Sequence, residues 1–303
     1  MSKELPNIPF QSPIVPEMLT NDSKLQFRCH KGIACFNECC RNIDIALTPY
    51  DVLRLKRRLD MTTDEFLPKY TVPYEMDAHG LPGIKLRPVE NGTSCQFMTE
   101  EGCSVYEDRP TACRYYPLGL LSMKHKDAPS DEEQYAMVRE DHCLGHNEDR
   151  TLTVGEYRTE QGLNEYDPHT RGWRQIILKK KSAGPSIGQP SELSLQLFFM
   201  ASYHIDQFQK FVTSEQFQAN YDLPADLVEK LKTDQEAVID FGQKFMKQVL
   251  FGEKMFEEKE GAYEARLERA KKKQEELKAL AEAQAKAAAE KATQSKGGDS
   301  EGP

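Results

Sequence analysis

The chain has no excess of basic residues, a single tryptophan, no long apolar run and no cysteine beyond Cys143. Each of these absences excludes something. A formal net charge of -9 argues against a phosphate-backbone partner, since nucleic-acid binders concentrate Lys and Arg into a basic footprint. The most apolar stretch, residues 193–201, is too short and too polar-flanked to span a bilayer. The opening residues carry Pro6, Pro9, Pro13 and Pro16 and no continuous apolar segment, so no secretory signal is read there. The expected compartment is the reducing cytoplasm, where thiols stay free for metal. No glycine-rich cofactor loop and no Cys-His-Asp grouping is visible, so no catalytic or cofactor-loop residue is assigned, and the chain reads more as a binding protein than as an enzyme, a question the residues leave open.

What is present is cysteine, and it is segregated. Cys29, Cys35, Cys39, Cys40, Cys95, Cys103, Cys113 and Cys143 all fall in the first half of 303 residues. Core cysteines scattered by chance would not cluster in this way. A disulfide framework could, but it calls for an export signal. Metal ligation is the better reading, with all eight as candidate ligands.

The expected organisation is α+β. A Pro-rich arm (1–22) precedes a small, irregular cysteine domain (23–166) with short helices and a β-hairpin. A helical region (167–252) follows, then a charged, long exposed helix and a disordered tail (253–303). Thr48, Pro49 and Asp51 have the form of a helix start, with Val52, Leu55 and Leu59 on one face and Arg54, Lys56, Arg57 and Arg58 outside. Thr62 with Glu65, and Thr153 with Glu156, are capping boxes, and Met61 with Phe66 is a hydrophobic staple. Strands are expected over 83–87 and 95–98, with a turn at 99–102, which makes Cys95 and Cys103 the two arms of a hairpin. Asp108-Arg109-Pro110 should start the helical turn that presents Cys113. Residues 182–190 read as a linker, and 191–217 and 224–251 as a packed helical hairpin.

The spacings Cys29-x5-Cys35-x3-Cys39-Cys40 and Cys95-x7-Cys103-x9-Cys113 match no zinc knuckle. Adjacent Cys39 and Cys40 should diverge, so that one serves a different iron or a different site. Eight thiols exceed one zinc site, and irregular spacing suits a polynuclear cluster, so an iron–sulfur cluster of the 4Fe-4S type is set ahead of zinc; two sets of four are also possible. Thiolates around metal leave a negative complex, and Arg28, Arg41, Arg109 and Arg114, each near a cysteine, are candidates to compensate it.

Phe27-Arg28-Cys29, residues 32–41 (GIACFNECCR), 47–51 with Arg54-Leu55, Cys95-Gln96-Phe97, 102–110 and Cys113-Arg114 with Pro117 resemble the YkgJ-type cysteine-cluster family. Cys143-Leu144-Gly145 with Thr153, Val154 and Tyr157 resembles its downstream part. The resemblance covers roughly 27–162, and it implies zinc or iron chelation without an established reaction. The gaps around Cys35 are wider than the family's two-residue spacing. A flagellin lysine methylase is a distant relative of the module, which makes a cluster-dependent enzyme one alternative and a zinc-stapled interaction scaffold another. His30, His142 and His146 adjoin cysteines and are read as solvent-facing or supporting. His79, His125, His169 and His204 show no partner pattern, and Asp131, Glu132 and Glu133 read as a solvated loop. The expected function is metal binding with a redox or electron-transfer role and a protein partner docking through the C-terminal helices.

Overall fold

The computed structural model describes residues 14–78, 80–121, 134–182 and 190–262, with isolated residues from there to 275. His79, His125, residues 131–133, most of 182–190, residues 1–13 and the 295–303 tail lie outside the described residues. The fold is α+β: small antiparallel sheets in the cysteine-bearing half and helices after it. The last stretch of the Pro-rich arm is a strand, β1 (Ile14–Leu19), in the three-stranded sheet that also holds β7 (Leu118–Leu121) and β8 (Gln134–Val138) in the order β1-β8-β7. β2 (Lys24–Gln26) pairs with β9 (Thr151–Thr153), tying the two ends of the cysteine segment together.

Helix α1 (Pro49–Arg58) starts as its sequence dictates. Thr48 Oγ1 accepts from the Asp51 N–H at 3.1 Å, and the Asp51 carboxylate accepts from the Thr48 N–H at 2.9 Å. Val52 and Leu55 are fully buried, and so is Leu53, because elements pack on both sides of the helix. The expectation for Lys56 is corrected for the same reason. It lies inside, its ammonium 2.7 Å from Asp206, since helices from the second half cover that face. Helix α2 (Thr63–Tyr70) has the Thr62–Glu65 capping box, tolerates Pro68 and runs on to Tyr70. Phe66 is wholly buried, which contributes about 2–3 kcal/mol for a ring of that size.

β3 (Thr71–Glu75) pairs with β4 (Pro82–Leu86). The hairpin is shorter than expected: β5 (Met98–Thr99) pairs with β6 (Gly102–Cys103), and Cys95 stands ahead of it in an isolated bridge to Pro88. Gly102, at φ 119°, makes this tight reversal possible. Helix α3 (Thr111–Tyr115) carries Cys113, and α4 (Val154–Glu160) has its Thr153 capping box.

The second half holds α5 (Leu163–Ser182), α6 (Glu192–Tyr203), α7 (Ile205–Val212), α8 (Glu215–Gln218), α9 (Ala225–Thr233) and α10 (Gln235–Phe251). The expected helical pair is broken into five pieces, at His204, Ser214 and Asp234, two of which are side-chain caps. Residues 253–261 are not helical; Glu258 bridges to Tyr221, and the helical residues described from 262 onward are exposed apart from Ala262. Gly242 lets α10 cross closely over α6 and α7, since a Cβ there would stand 3.0 Å from Phe208 and 3.3 Å from the Ala201 carbonyl. One apolar core runs from Leu47, Phe66 and Cys95 through Tyr166 and Trp173 to Phe241 and Met246, so the cysteine segment and the helices pack as one body. A smaller core gathers Phe27, Tyr115, Tyr135 and Val154. No helix among the described residues is long and apolar enough to cross a membrane.

His169 on α5 is one link between the two halves. It stacks on Tyr50 at 4.6 Å and lies 3.2 Å from Asp240 on α10. The bond to Asp240 raises its pKa above the usual histidine value, against the effect of burial. The link therefore stabilises the fold fully below the unfolded pKa of about 6.5 and fades as pH rises through the folded value. His169→Gln should cost more stability at about pH 5.5 than at about pH 8.5 in denaturant melts; equal costs would count against this assignment.

Candidate metal centre

The cysteines arrive from separate segments, and backbone hydrogen bonds bring those segments together. Cys39 and Cys40 lie in a single 3-10 turn, Glu38–Cys40. The Cys95 N–H donates to the Cys40 carbonyl at 2.8 Å, which fixes the 88–98 segment against that turn. Cys103 follows through the short hairpin, where the Ser104 N–H donates to the Phe97 carbonyl at 2.8 Å. On the other side, the Arg28 N–H donates to the Gly145 carbonyl at 3.0 Å and the Leu144 N–H to Cys35 Sγ at 3.2 Å. Gly145 permits that approach, because a Cβ there would fall 2.6 Å from the Phe27 ring and 2.9 Å from the Arg28 carbonyl.

Cys113 is placed by a buried carboxylate. Asp51 is fully buried at the start of α1, and its second oxygen accepts from both the N–H and the hydroxyl of Thr111 at 2.7 Å. The α1 cap and the start of α3 thus share one acceptor, two residues ahead of Cys113. Arg114 closes the same corner. Its guanidinium donates to the carbonyls of Arg109 (3.0 Å), Gln161 (2.6 Å) and Glu107 (2.5 Å) and to the Tyr166 hydroxyl at 3.0 Å.

All eight thiols are free, and several feel one another. Burial first, then the charges of Cys39, Cys35 and Cys143, push the Cys29 thiol up to about 11. Burial, then Cys95, Cys103 and Cys39, raise Cys113 further. Cys39 and Cys40 stand 3.9 Å apart, Sγ to Sγ, within reach of a thiol hydrogen bond. That hydrogen bond raises the Cys40 thiol and holds the more exposed Cys39 thiol down to about 7. The two sulfurs therefore turn towards each other, where divergence had been expected. Among the described residues no three His, Cys, Asp or Glu side chains already converge on one point at ligating distance.

Of the four candidate arginines, one faces the thiols. Arg109 is buried over the Tyr106 ring at 4.0 Å, held by the Tyr106 carbonyl (2.8 Å) and Gln161 (2.6 Å), and its charge favours the thiolates of both Cys29 and Cys103. Arg41 is paired with Glu38, Arg114 is engaged with carbonyls, and Arg28 is exposed. The sequence pattern missed two supporting groups: the Leu144 N–H on Cys35, and the Tyr116 hydroxyl. The latter is buried without a well-formed hydrogen bond among the described residues and faces Cys143 and Glu140. The histidines are occupied. His30 Nε2 lies 2.9 Å from Glu148, and His146 lies 3.1 Å from the Val138 carbonyl and packs on Phe27. His204 and His169, which showed no partner pattern, are paired with Asp64 and Asp240.

This donor set fits a thiophilic cation. Thiols raised by burial and then by one another's charge gain most from a positive ion, and the Leu144 N–H, the Tyr116 hydroxyl and the Arg109 guanidinium stand beside the sulfurs where a negative centre would need them. No curated protein and no solved structure is matched by the chain. Residues 28–144, which include all eight cysteines, match the model of the family CxxCxxCC, described as "Putative zinc- or iron-chelating domain".

Proposed function

We propose that the protein binds an iron–sulfur cluster through its cysteines and uses it to carry or sense electrons in a reducing compartment, with the helical half available for a partner protein. The observation behind this reading is the gathering of thiols from segments as distant as Cys29 and Cys143, joined by the Leu144–Cys35 and Cys95–Cys40 hydrogen bonds. Eight thiols are more than one zinc ion uses, and their irregular spacing favours a polynuclear centre. Bound, such a cluster would supply one-electron chemistry. The chain's own residues position it: Arg109 offsets negative charge, the Leu144 N–H and the Tyr116 hydroxyl face the sulfurs of Cys35 and Cys143, and the apolar residues around Cys95 exclude water.

Purification without oxygen is expected to give a coloured protein containing iron and acid-labile sulfide, both lost together on Cys103→Ser substitution. A colourless protein with stoichiometric zinc would replace iron by zinc in this reading.

A further inference from the structure

The segment between Pro88 and Cys95 is fastened at its ends and open at its tip. The Val89 N–H donates to the Ser94 carbonyl at 2.8 Å, and the Ile43 N–H to the Thr93 carbonyl at 3.0 Å. The hydroxyls of Thr93 and Ser94 both donate to the Arg41 carbonyl, at 2.8 and 3.2 Å. Arg41 ends the turn that carries Cys39 and Cys40, so this loop helps to hold that turn. At the tip stand Asn91 and Gly92, the one Asn-Gly step in the sequence, both exposed. Each is there for a conformational reason. Asn91 sits at φ 59°, in the left-handed region that asparagine tolerates better than most residues. A Cβ on residue 92 would fall 2.8 Å from Val89 Cγ2, so glycine leaves room that no other residue would. The Gly92 N–H donates to the Val89 carbonyl at 3.2 Å, a long bond in a turn open to water.

We propose that Asn91 is a site of spontaneous modification, where the side chain cyclises onto Gly92 and the isoaspartate that follows loosens the loop's hold on Arg41. The Gly92 nitrogen attacks Asn91 Cγ and an N–C bond forms. The Cγ–Nδ2 bond breaks, and ammonia leaves with the Gly92 proton. Water then opens the cyclic imide. Opening at the side-chain carbonyl gives aspartate; opening at the backbone carbonyl gives isoaspartate, with the main chain now running through Cβ and Cγ. The sum is amide plus water to acid plus ammonia, with no change of oxidation state and no cofactor. Glycine matters to the chemistry as well as to the turn, since without a Cβ its nitrogen can close on Cγ. Both products make the tip more negative, and isoaspartate also lengthens the main chain. The tight turn from Val89 to Gly92 does not fit the longer chain, and the strain falls on the Thr93 and Ser94 bonds to Arg41. No metal takes part, so this site stands apart from the cysteine chemistry above.

The full-length chain, incubated at mildly alkaline pH and followed by peptide mass spectrometry, provides the test. Isoaspartate is read from its fragmentation, and from methyl uptake with an isoaspartyl methyltransferase and S-adenosylmethionine. Asn91 is expected to convert faster, by an order of magnitude, than Asn21, Asn147 and Asn164, which are followed by Asp or Glu. Hydrogen exchange of the aged chain should show lost protection at the Val89 and Ile43 amides, with circular dichroism unchanged. Asn91→Gly, which suits the same φ, should lack the product and keep that protection through the same incubation. A synthetic peptide of residues 86–94 supplies the rate for a loop with no fold around it. Conversion of the peptide beside an intact Asn91 in the chain would overturn the proposal, because the turn would then be shielding the amide. So would isoaspartate in the chain with Val89 and Ile43 still protected, and so would an equal loss of protection in Asn91→Gly.

Discussion

Asp51→Ala is expected to destabilise the fold by about 3–5 kcal/mol and to lower metal uptake at the same time. The carboxylate is fully buried and accepts from the Thr48 N–H, the Thr111 N–H and the Thr111 hydroxyl. Removing it leaves two backbone donors and the Thr111 hydroxyl without partners in a site closed to water, at about 1–3 kcal/mol for each buried donor, while the Thr48 hydroxyl still caps α1 through the backbone N–H of residue 51. Burial raises the pKa of this group, and those donors act against the rise. The effect should reach the thiols because Thr111 opens α3 and Cys113 lies two residues further on. Denaturant unfolding measures the first effect, and metal content per folded chain the second. A variant as stable as the parent would show that water enters to take the place of the carboxylate.

Arg114→Met should be nearly as damaging, at about 3–4 kcal/mol. Its guanidinium satisfies three carbonyls and the Tyr166 hydroxyl and packs over the Tyr166 ring at 4.0 Å. Hydrogen bonds from a charged donor contribute about 1.5–3 kcal/mol each, and methionine keeps the bulk while losing all of them. Arg114→Lys should recover little, since one ammonium cannot reach acceptors spread around a planar fork. Equal melts for the lysine and native proteins would contradict this. Replacing Arg109 should affect stability less and the ionisation of Cys29 and Cys103 more, and that contrast separates clamp from counter-charge.

These two residues also show how far the sequence could be read. Thr48, Thr62 and Thr153 announced their helices because a cap is a local device, complete within four residues. The α+β class and the cysteine module were legible for a similar reason, since spacing and composition are local. The second partner of Asp51 was not, because Thr111 lies sixty residues away. Four arginines beside cysteines looked equivalent in sequence, and only packing distinguishes Arg109, facing thiols, from Arg114, facing carbonyls. Lys56 was misplaced because its partner Asp206 belongs to a helix that no local pattern assigns to α1. The short hairpin failed similarly: Cys95 reads as strand by alternation, yet its N–H is taken by Cys40.

The unbroken core linking Cys95 to Phe241 has a bearing on how the protein matures. In small metal modules the ion is the nucleus, and without it the chain is unfolded. Here Cys40, Cys95 and Cys103 pack on an apolar core that is continuous with the one α10 contributes to, and the burial of that core needs no ion. A newly made chain can thus complete its helices and present its thiols before any metal arrives.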